Sequence, residues 1–324
     1  MKKKLANETT VVENAEAPKS SFFNKVKRSE AVIGYLFMLP TIIGFSIFVA
    51  YPLLSSIYYA FTDWGVTSAP KWVGLDNFKF LFLKDPTFIP AIKATILYVL
   101  WTVPASIVAG LLLAALLNRP IPGIRFFRTV FYLPVVLPAV ASLVLWKFIF
   151  APDYGLANQF LTAMGLPTSD WLQSERMVFP SLLIVCLWGV GSQMIIFLSG
   201  LQSVPSELFE AADIDGASGI QKFFSITVPM ITPVIFLQLI TGVIAGFQVY
   251  TPAMLLTGSA SGAGGGPNLK TYFLNYAIYQ SAFNQRQFGF AVAEVWVLFV
   301  IVMLFTILIF KSSNSFVYYE EEDR

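Results

Sequence analysis

Six long apolar stretches separated by short polar segments dominate the chain. They fall near residues 31–61, 91–117, 126–150, 178–200, 228–256 and 288–310. Each meets the length of about 20 residues that carries a helix across a bilayer. The first is long for one span, so Pro40 and Pro52 kink it or its end runs along the surface. No internal repeat is visible. Nor do the stretches show the inverted symmetry of broken helices found in many secondary transporters. The pattern predicts an all-α polytopic membrane protein with six transmembrane helices. It divides the chain into a polar, disordered tail at 1–28, a membrane domain at 29–311 and a second tail at 312–324.

Composition strengthens this picture. The 324 residues are 56% hydrophobic and 12% charged, with mean hydropathy +0.69, whereas soluble domains carry about 25% charge. The expected surroundings are lipid, and a net charge of +2 gives no sign of nucleic acid. The 31 Phe and 7 Trp suit lipid-facing and interfacial positions. The chain has no histidine, which removes His-based triads, His–metal sites and imidazole relays. The single cysteine, Cys186, reads as a small buried hydrophobe. No catalytic residue and no metal ligand set is expected. Lys2, Lys3 and Lys4 precede about 25 polar residues, unlike a cleaved signal, whose apolar run follows its charges directly.

Lys and Arg set the expected orientation. Arg119, Arg125 and Arg128 crowd the tight connection between the second and third stretches, and Lys25, Lys27 and Arg28 precede the first. That side is expected to be cytoplasmic, with both termini and the connection at 203–227. The connections at 63–90, 151–177 and 257–287 then face outward.

Between the fourth and fifth stretches lies Pro205-Ser-Glu-Leu-Phe-Glu-Ala-Ala-Asp-Ile-Asp-Gly-Ala217. Pro205 suits a first helical turn, and Glu207 and Glu210 suit the positive end of a helix dipole. Ala211 and Ala212 favour helix, and Gly216 can stop it with a positive φ. The expected helix has about eleven residues, roughly 16 Å. Glu207, Glu210 and Asp213 share a face; Leu208, Ala211, Ala212 and Asp215 line an adjacent one. A second amphipathic piece follows at Ser218–Ile226, and Pro229 opens the next span. On spacing alone, an ordinary acidic loop fits as well.

Residue order goes further. Glu210-Ala-Ala-x-x-Asp215-Gly-Ala217, followed by Phe223-x-x-Ile226-x-x-Pro229, resembles the EAA loop of ATP-binding-cassette importer permeases. Phe61-Thr-Asp-Trp64, Val73-Gly-Leu-Asp-Asn-Phe78, Arg128-Thr-Val-Phe-Tyr-Leu-Pro134 and Ile195-Ile-Phe-Leu-Ser-Gly-Leu-Gln202 resemble its carbohydrate branch. The likeness runs from about residue 30 to 311, with Val228 where the family's Ile-x-Leu-Pro has Leu. It implies a type I importer permease fold with a coupling helix in a cleft of a cytoplasmic ATPase. The implied coupling residues are Glu207, Glu210, Ala211, Ala212, Asp213, Asp215, Gly216 and Pro229. The implied partners are a second, related permease in a heterodimer, an ATPase dimer that holds ATP and Mg, and an extracytoplasmic solute-binding protein. The implied location is a prokaryotic plasma membrane.

This chain has no phosphate loop of its own. Gly264-Gly-Gly-Pro-Asn-Leu-Lys270-Thr271 lacks Gly before Lys-Thr and follows a span on the outer side. The Gly-rich connection at 257–267 is longer than in relatives and is expected to be mobile. Polar and amphipathic groups within spans mark a candidate sugar path: Trp188, Gln193, Gln248, Tyr250 and Glu294. Amides, carboxylates and aromatic faces suit neutral hydroxyl-rich solutes, although each residue alone also fits interhelical packing. Glu294 is either a polar group on the path or partner interface, or a group that reaches headgroup water. A polyol, glycerol-phosphate or peptide importer is a narrower alternative. An ion-coupled secondary transporter and an intramembrane enzyme are rivals from other classes.

Overall fold

The computed structural model describes residues 30–65, 67–120, 122–258 and 264–313. The expected tail at 1–28 and residues 314–324 lie outside these, as do residues 259–263 of the Gly-rich connection. Two units divide the chain, 1–56 and 57–324. Helix α1 (Glu30–Phe45) contains Pro40 and passes through a π-helical turn at Ser46–Ala50 into α2 (Tyr51–Ala60), whose residues from Ile57 onward belong to the second unit. The run Val32–Ala60 is long and apolar enough to cross a membrane.

In the second unit a two-stranded ribbon pairs β1 (Thr62–Asp63) with β2 (Lys71–Trp72), Thr62 opposite Trp72. A short helix α3 (Asp76–Leu83) follows, then the 30-residue α4 (Phe88–Leu117). Helices α5 (Ile124–Val136), α6 (Ala139–Ile149) and α7 (Leu156–Ala163) come next, then α8 (Val178–Trp188) and α9 (Gly191–Gln202). The acidic segment forms α10 (Ser206–Ile214), followed by α11 (Gly219–Lys222) and α12 (Val228–Met230), which a π-helical turn joins. The chain then forms α13 (Thr232–Phe247), α14 (Thr251–Leu256), α15 (Leu274–Tyr279) and the 26-residue α16 (Phe288–Ser313).

Three of the six expected spans are not single helices. Helices α5 and α6 meet at 97°, α8 and α9 at 52°, and the α11–α12 segment meets α13 at 65°. Pro138 accounts for the first break: a residue before proline is pushed out of the α region, and Leu137 sits at φ −71°, ψ 143°. Gly189 marks the second break. At the third, Pro233 near the start of α13 cannot donate a backbone bond, and the Thr232 hydroxyl donates to the Pro229 carbonyl at 2.7 Å. Pro229 therefore lies in α12, ahead of the bend, and does not open the fifth span. That span also ends early, at Phe247 rather than near 256.

Helix α4 is the spine of this unit. Its buried residues include Ala91, Ala94, Thr95, Tyr98, Val99, Thr102, Val103, Ser106, Gly110 and Ala114, a stripe of mostly small groups that lets helices approach closely in lipid. It packs against α9 and α13. A Cβ at Gly110 would lie 2.8 Å from the Gln193 Cβ, so this crossing needs glycine. Thr95 joins distant segments: its hydroxyl donates to the Ala91 carbonyl and accepts from the Leu274 N–H, both at 2.8 Å. Helix α16 packs against α13, α15 and α3.

Candidate coupling loop and translocation path

The acidic loop is two short helices around one turn. Helix α10 has nine residues, about 13 Å at 1.5 Å per residue, shorter than the eleven expected. Pro205 caps it in an extended conformation (φ −58°, ψ 133°) and does not occupy its first turn. The helix closes as a Schellman turn. The Ala217 N–H donates to the Ala212 carbonyl at 2.9 Å, and the Gly216 N–H to the Asp213 carbonyl at 3.1 Å. Gly216 takes φ +75°, as its role as a stop requires. Ser218 then starts α11 with a capping box: its N–H donates to Gln221 Oε1 at 2.7 Å, and its Oγ accepts from the Gln221 N–H.

One ion pair braces the two helices. Lys222 Nζ lies 2.6 Å from Asp213 Oδ1. Glu207, Glu210, Asp213 and Asp215 are all exposed, as is Ala211, while Ala212 is half-buried. Among the described residues, only Asp213 of these four acids has an ion-pair partner within 4 Å. The loop therefore presents uncompensated negative charge on a short, locally rigid helix.

The five path residues do not form one cluster. Trp188 ends α8 at the 52° break. Its ring meets Trp146 edge-on at 5.8 Å, and both line a recess of about 380 Å³ with Tyr98, Leu137, Ser142 and Thr251. The recess lies where α4, the α5–α6 break, α8 and the start of α14 come together. Ser142 Oγ and Trp146 Nε1 are buried without hydrogen-bond partners. Unpartnered buried polar atoms are uncommon and call for an explanation. Ser142, Tyr98 and Thr251 were not among the expected path residues: each sits singly in an apolar run, and they share a space only because two spans bend and the fifth stops at Phe247.

Gln193 stands in the first turn of α9 against Gly110 and accepts from the Ser192 hydroxyl at 2.8 Å. Gln248 caps α13 and is exposed; its carbonyl accepts from Asn275 Nδ2 at 2.8 Å. Tyr250 precedes α14, and its hydroxyl donates to Met254 Sδ at 2.8 Å. Gln248 and Tyr250 were expected inside a continuous span and instead sit in the gap between two helices.

Glu294 does not line that recess. It lies in the second turn of α16, is 2% exposed and leaves Oε2 without a partner. Burial on this scale rules out contact with headgroup water. Its neighbours are Ser281, Asp85 and Tyr272. Burial, then the Glu294 and Asp85 carboxylates, push the Tyr272 phenol up to about 12. No cluster of three or more His, Cys, Asp or Glu that could hold a metal occurs among the described residues.

Known proteins resemble the chain along most of its length. It is 39% identical over 298 residues to the "Probable ABC transporter permease protein YesP" of Bacillus subtilis (strain 168), covering 91% of this chain and 95% of that protein. It is 35% identical to the multiple sugar-binding transport system permease protein MsmF of Streptococcus mutans, covering 87% and 96%. It is 30% identical to the arabinooligosaccharides transport system permease protein AraP of Bacillus subtilis, covering 93% and 94%. In fold it matches a chain of a bacterial alginate ABC transporter solved with an alginate pentasaccharide-bound periplasmic protein. The TM-score is 0.76 at 23% identity, covering 91% of this chain and 97% of that one. The family model for the inner membrane component of binding-protein-dependent transport systems matches residues 106–319, and with relatives this similar along nearly all its length the chain belongs to that family.

Proposed function

We propose that this chain is the permease subunit of an ATP-driven importer, that its cargo is a sugar or oligosaccharide, and that Ser206–Ile214 is where ATP energy enters it. The observation that carries the proposal is the acidic loop. An exposed helix with unpaired Glu207 and Glu210, closed by the Gly216 turn and braced by Lys222, suits docking to a partner with a basic rim. A short rigid helix transmits a partner's rigid-body motion to the spans that it joins.

The partners are a second, different permease in a pseudo-twofold heterodimer, two copies of a cytoplasmic ATPase that holds ATP and Mg, and an extracytoplasmic solute-binding protein. The acidic loop and both termini are cytoplasmic, in a prokaryotic plasma membrane. Closure of the ATPase dimer draws the coupling helices together and opens the cavity between the permeases outward. Glu210 is the main docking acid, Glu207, Asp213 and Asp215 surround it, Ala211 and Ala212 give a shallow contact surface, and Gly216 sets the turn. Pro229 helps fix the bend that hands motion to α13.

Sugar as cargo rests on the relatives named for sugars and on the chemistry of the recess. Two indoles and the unpartnered Ser142 and Trp146 donors suit hydroxyl-rich rings. Its lining holds no Lys or Arg, which disfavours a phosphate-bearing solute. Trp188, Gln193, Gln248 and Tyr250 lie on the path, and Glu294, buried near Tyr272, has a supporting place beside it.

The test is Glu210→Lys in the assembled transporter. It should lower ATP-dependent sugar uptake and loosen co-purification of the ATPase. Wild-type uptake coupled to hydrolysis, with the ATPase fully retained, would refute the docking role. Uptake that survives loss of the ATPase but collapses with the ion gradient would refute the class.

A further inference from the structure

Aromatic rings continue from Tyr250 in an unbroken series. Tyr250 meets Tyr279 at 4.9 Å between ring centroids, Tyr279 meets Phe283 at 5.0 Å, and Phe283 meets Phe288 at 6.2 Å. Phe288 meets Trp64 at 5.5 Å, and Trp64 stacks on Tyr59 at 4.4 Å. The series thus joins α15, its π-helical extension at Gln280–Asn284, the start of α16, Trp64 just after β1 and Tyr59 near the end of α2.

Its surroundings are polar. Phe283 is 62% exposed, and the next four residues, Asn284, Gln285, Arg286 and Gln287, are exposed as well. Asn284 Nδ2 donates to Gln280 Oε1, and Gln280 Nε2 donates to the Tyr276 hydroxyl at 2.6 Å. At the inner end Asn275 holds the Gln248 carbonyl beside Tyr250. A surface meant only for lipid does not carry the exposed Asn284, Gln285, Arg286 and Gln287 beside an exposed ring, because polar groups are costly in hydrocarbon. Successive aromatic faces with amides alongside are instead the complement of a sugar chain: apolar C–H faces rest on rings and hydroxyls meet amides.

We propose that these six rings are a track that guides a linear oligosaccharide of neutral sugars to the gap at Gln248–Tyr250. The track rests on the sugar-importer reading and adds a cargo size: the chain is long enough to touch several rings at once. A monosaccharide gains little from such a track, and a hexasaccharide gains most.

The test uses the full transporter with its binding protein and its ATPase, supplied with labelled linear malto-, arabino- and xylo-oligosaccharides of two to six units. Phe283→Ala should reduce uptake of the longest accepted oligomer by about three- to tenfold, the range of one aromatic contact, and that of the dimer by less than about twofold. Phe283→Trp should keep uptake. Phe283→Leu preserves apolar bulk but not the ring face, so it should behave like the alanine variant. Full activity of the leucine variant would overturn the track in favour of lipid or subunit packing. Equal loss at every length, or uptake of monomers alone, would also overturn it. Absence of ATP-dependent uptake for every sugar in wild type would instead refute the importer reading itself.

Discussion

Gly216 offers a clean perturbation of the acidic loop. It sits at φ +75°, and a Cβ built there meets no atom within 4 Å. Gly216→Ala therefore adds backbone strain without a clash, about 1–2 kcal/mol for a non-glycine residue in the left-handed region. Two hydrogen bonds oppose opening of the turn, from Ala217 to Ala212 and from Gly216 to Asp213, each with a net worth of about 0.5–1.5 kcal/mol. Strain and bonds are of similar size, so the alanine variant should hold the turn only part of the time. A shift of 1–2 kcal/mol changes the ratio of closed to open turns about five- to thirtyfold. Asparagine tolerates this region better, so Gly216→Asn should be milder, while a β-branched valine should be worse. The assay is sugar uptake per ATP hydrolysed in proteoliposomes, with co-purification of the ATPase as a check on assembly. The expected order of coupling is Gly, Asn, Ala, Val, with the spans folded throughout. Equal coupling in wild type and Gly216→Val would refute the claim that a fixed turn transmits the motion.

Two further predictions concern the spine and the recess. Thr95→Val should lower thermal stability in detergent by about 1–3 kcal/mol, because the buried Leu274 N–H loses its acceptor, and Thr95→Ser should restore it; an unchanged melting temperature for the valine variant would show that the bond is dispensable. Trp146→Phe removes an N–H that has no partner, so it should leave stability unchanged or improve it, yet raise the uptake KM about three- to tenfold if that donor meets the sugar. An unchanged KM would remove Trp146 from the path.

The sequence carried the class because lipid demands long apolar helices, and the loop because its residues are local; among the described residues three single helices are long and apolar enough to cross, and the expected six are reached when each bent pair is one span. Pro205, Gly216 and Ser218 act through their own backbone conformations, which neighbours in sequence largely decide. Breaks in spans are harder to read. Proline occurs inside α1, α4 and α5 without ending them, so Pro138 looks no different from Pro134 until the chain is seen to turn by 97°. The same limit explains Glu294. Its cost in a span was legible, but its place was not, since burial beneath the Gln280–Asn284 turn depends on a segment that folds back over α16. The recess depends on such breaks in the same way. Ser142, Trp146, Trp188 and Thr251 come from three distant stretches and meet because two spans bend and a third stops early. A span that only crosses lipid has no need of these interruptions, since they leave backbone groups without helical partners. Their convergence on one space, lined by indoles and unpartnered donors, is the observation that favours the proposed path over ordinary helix packing.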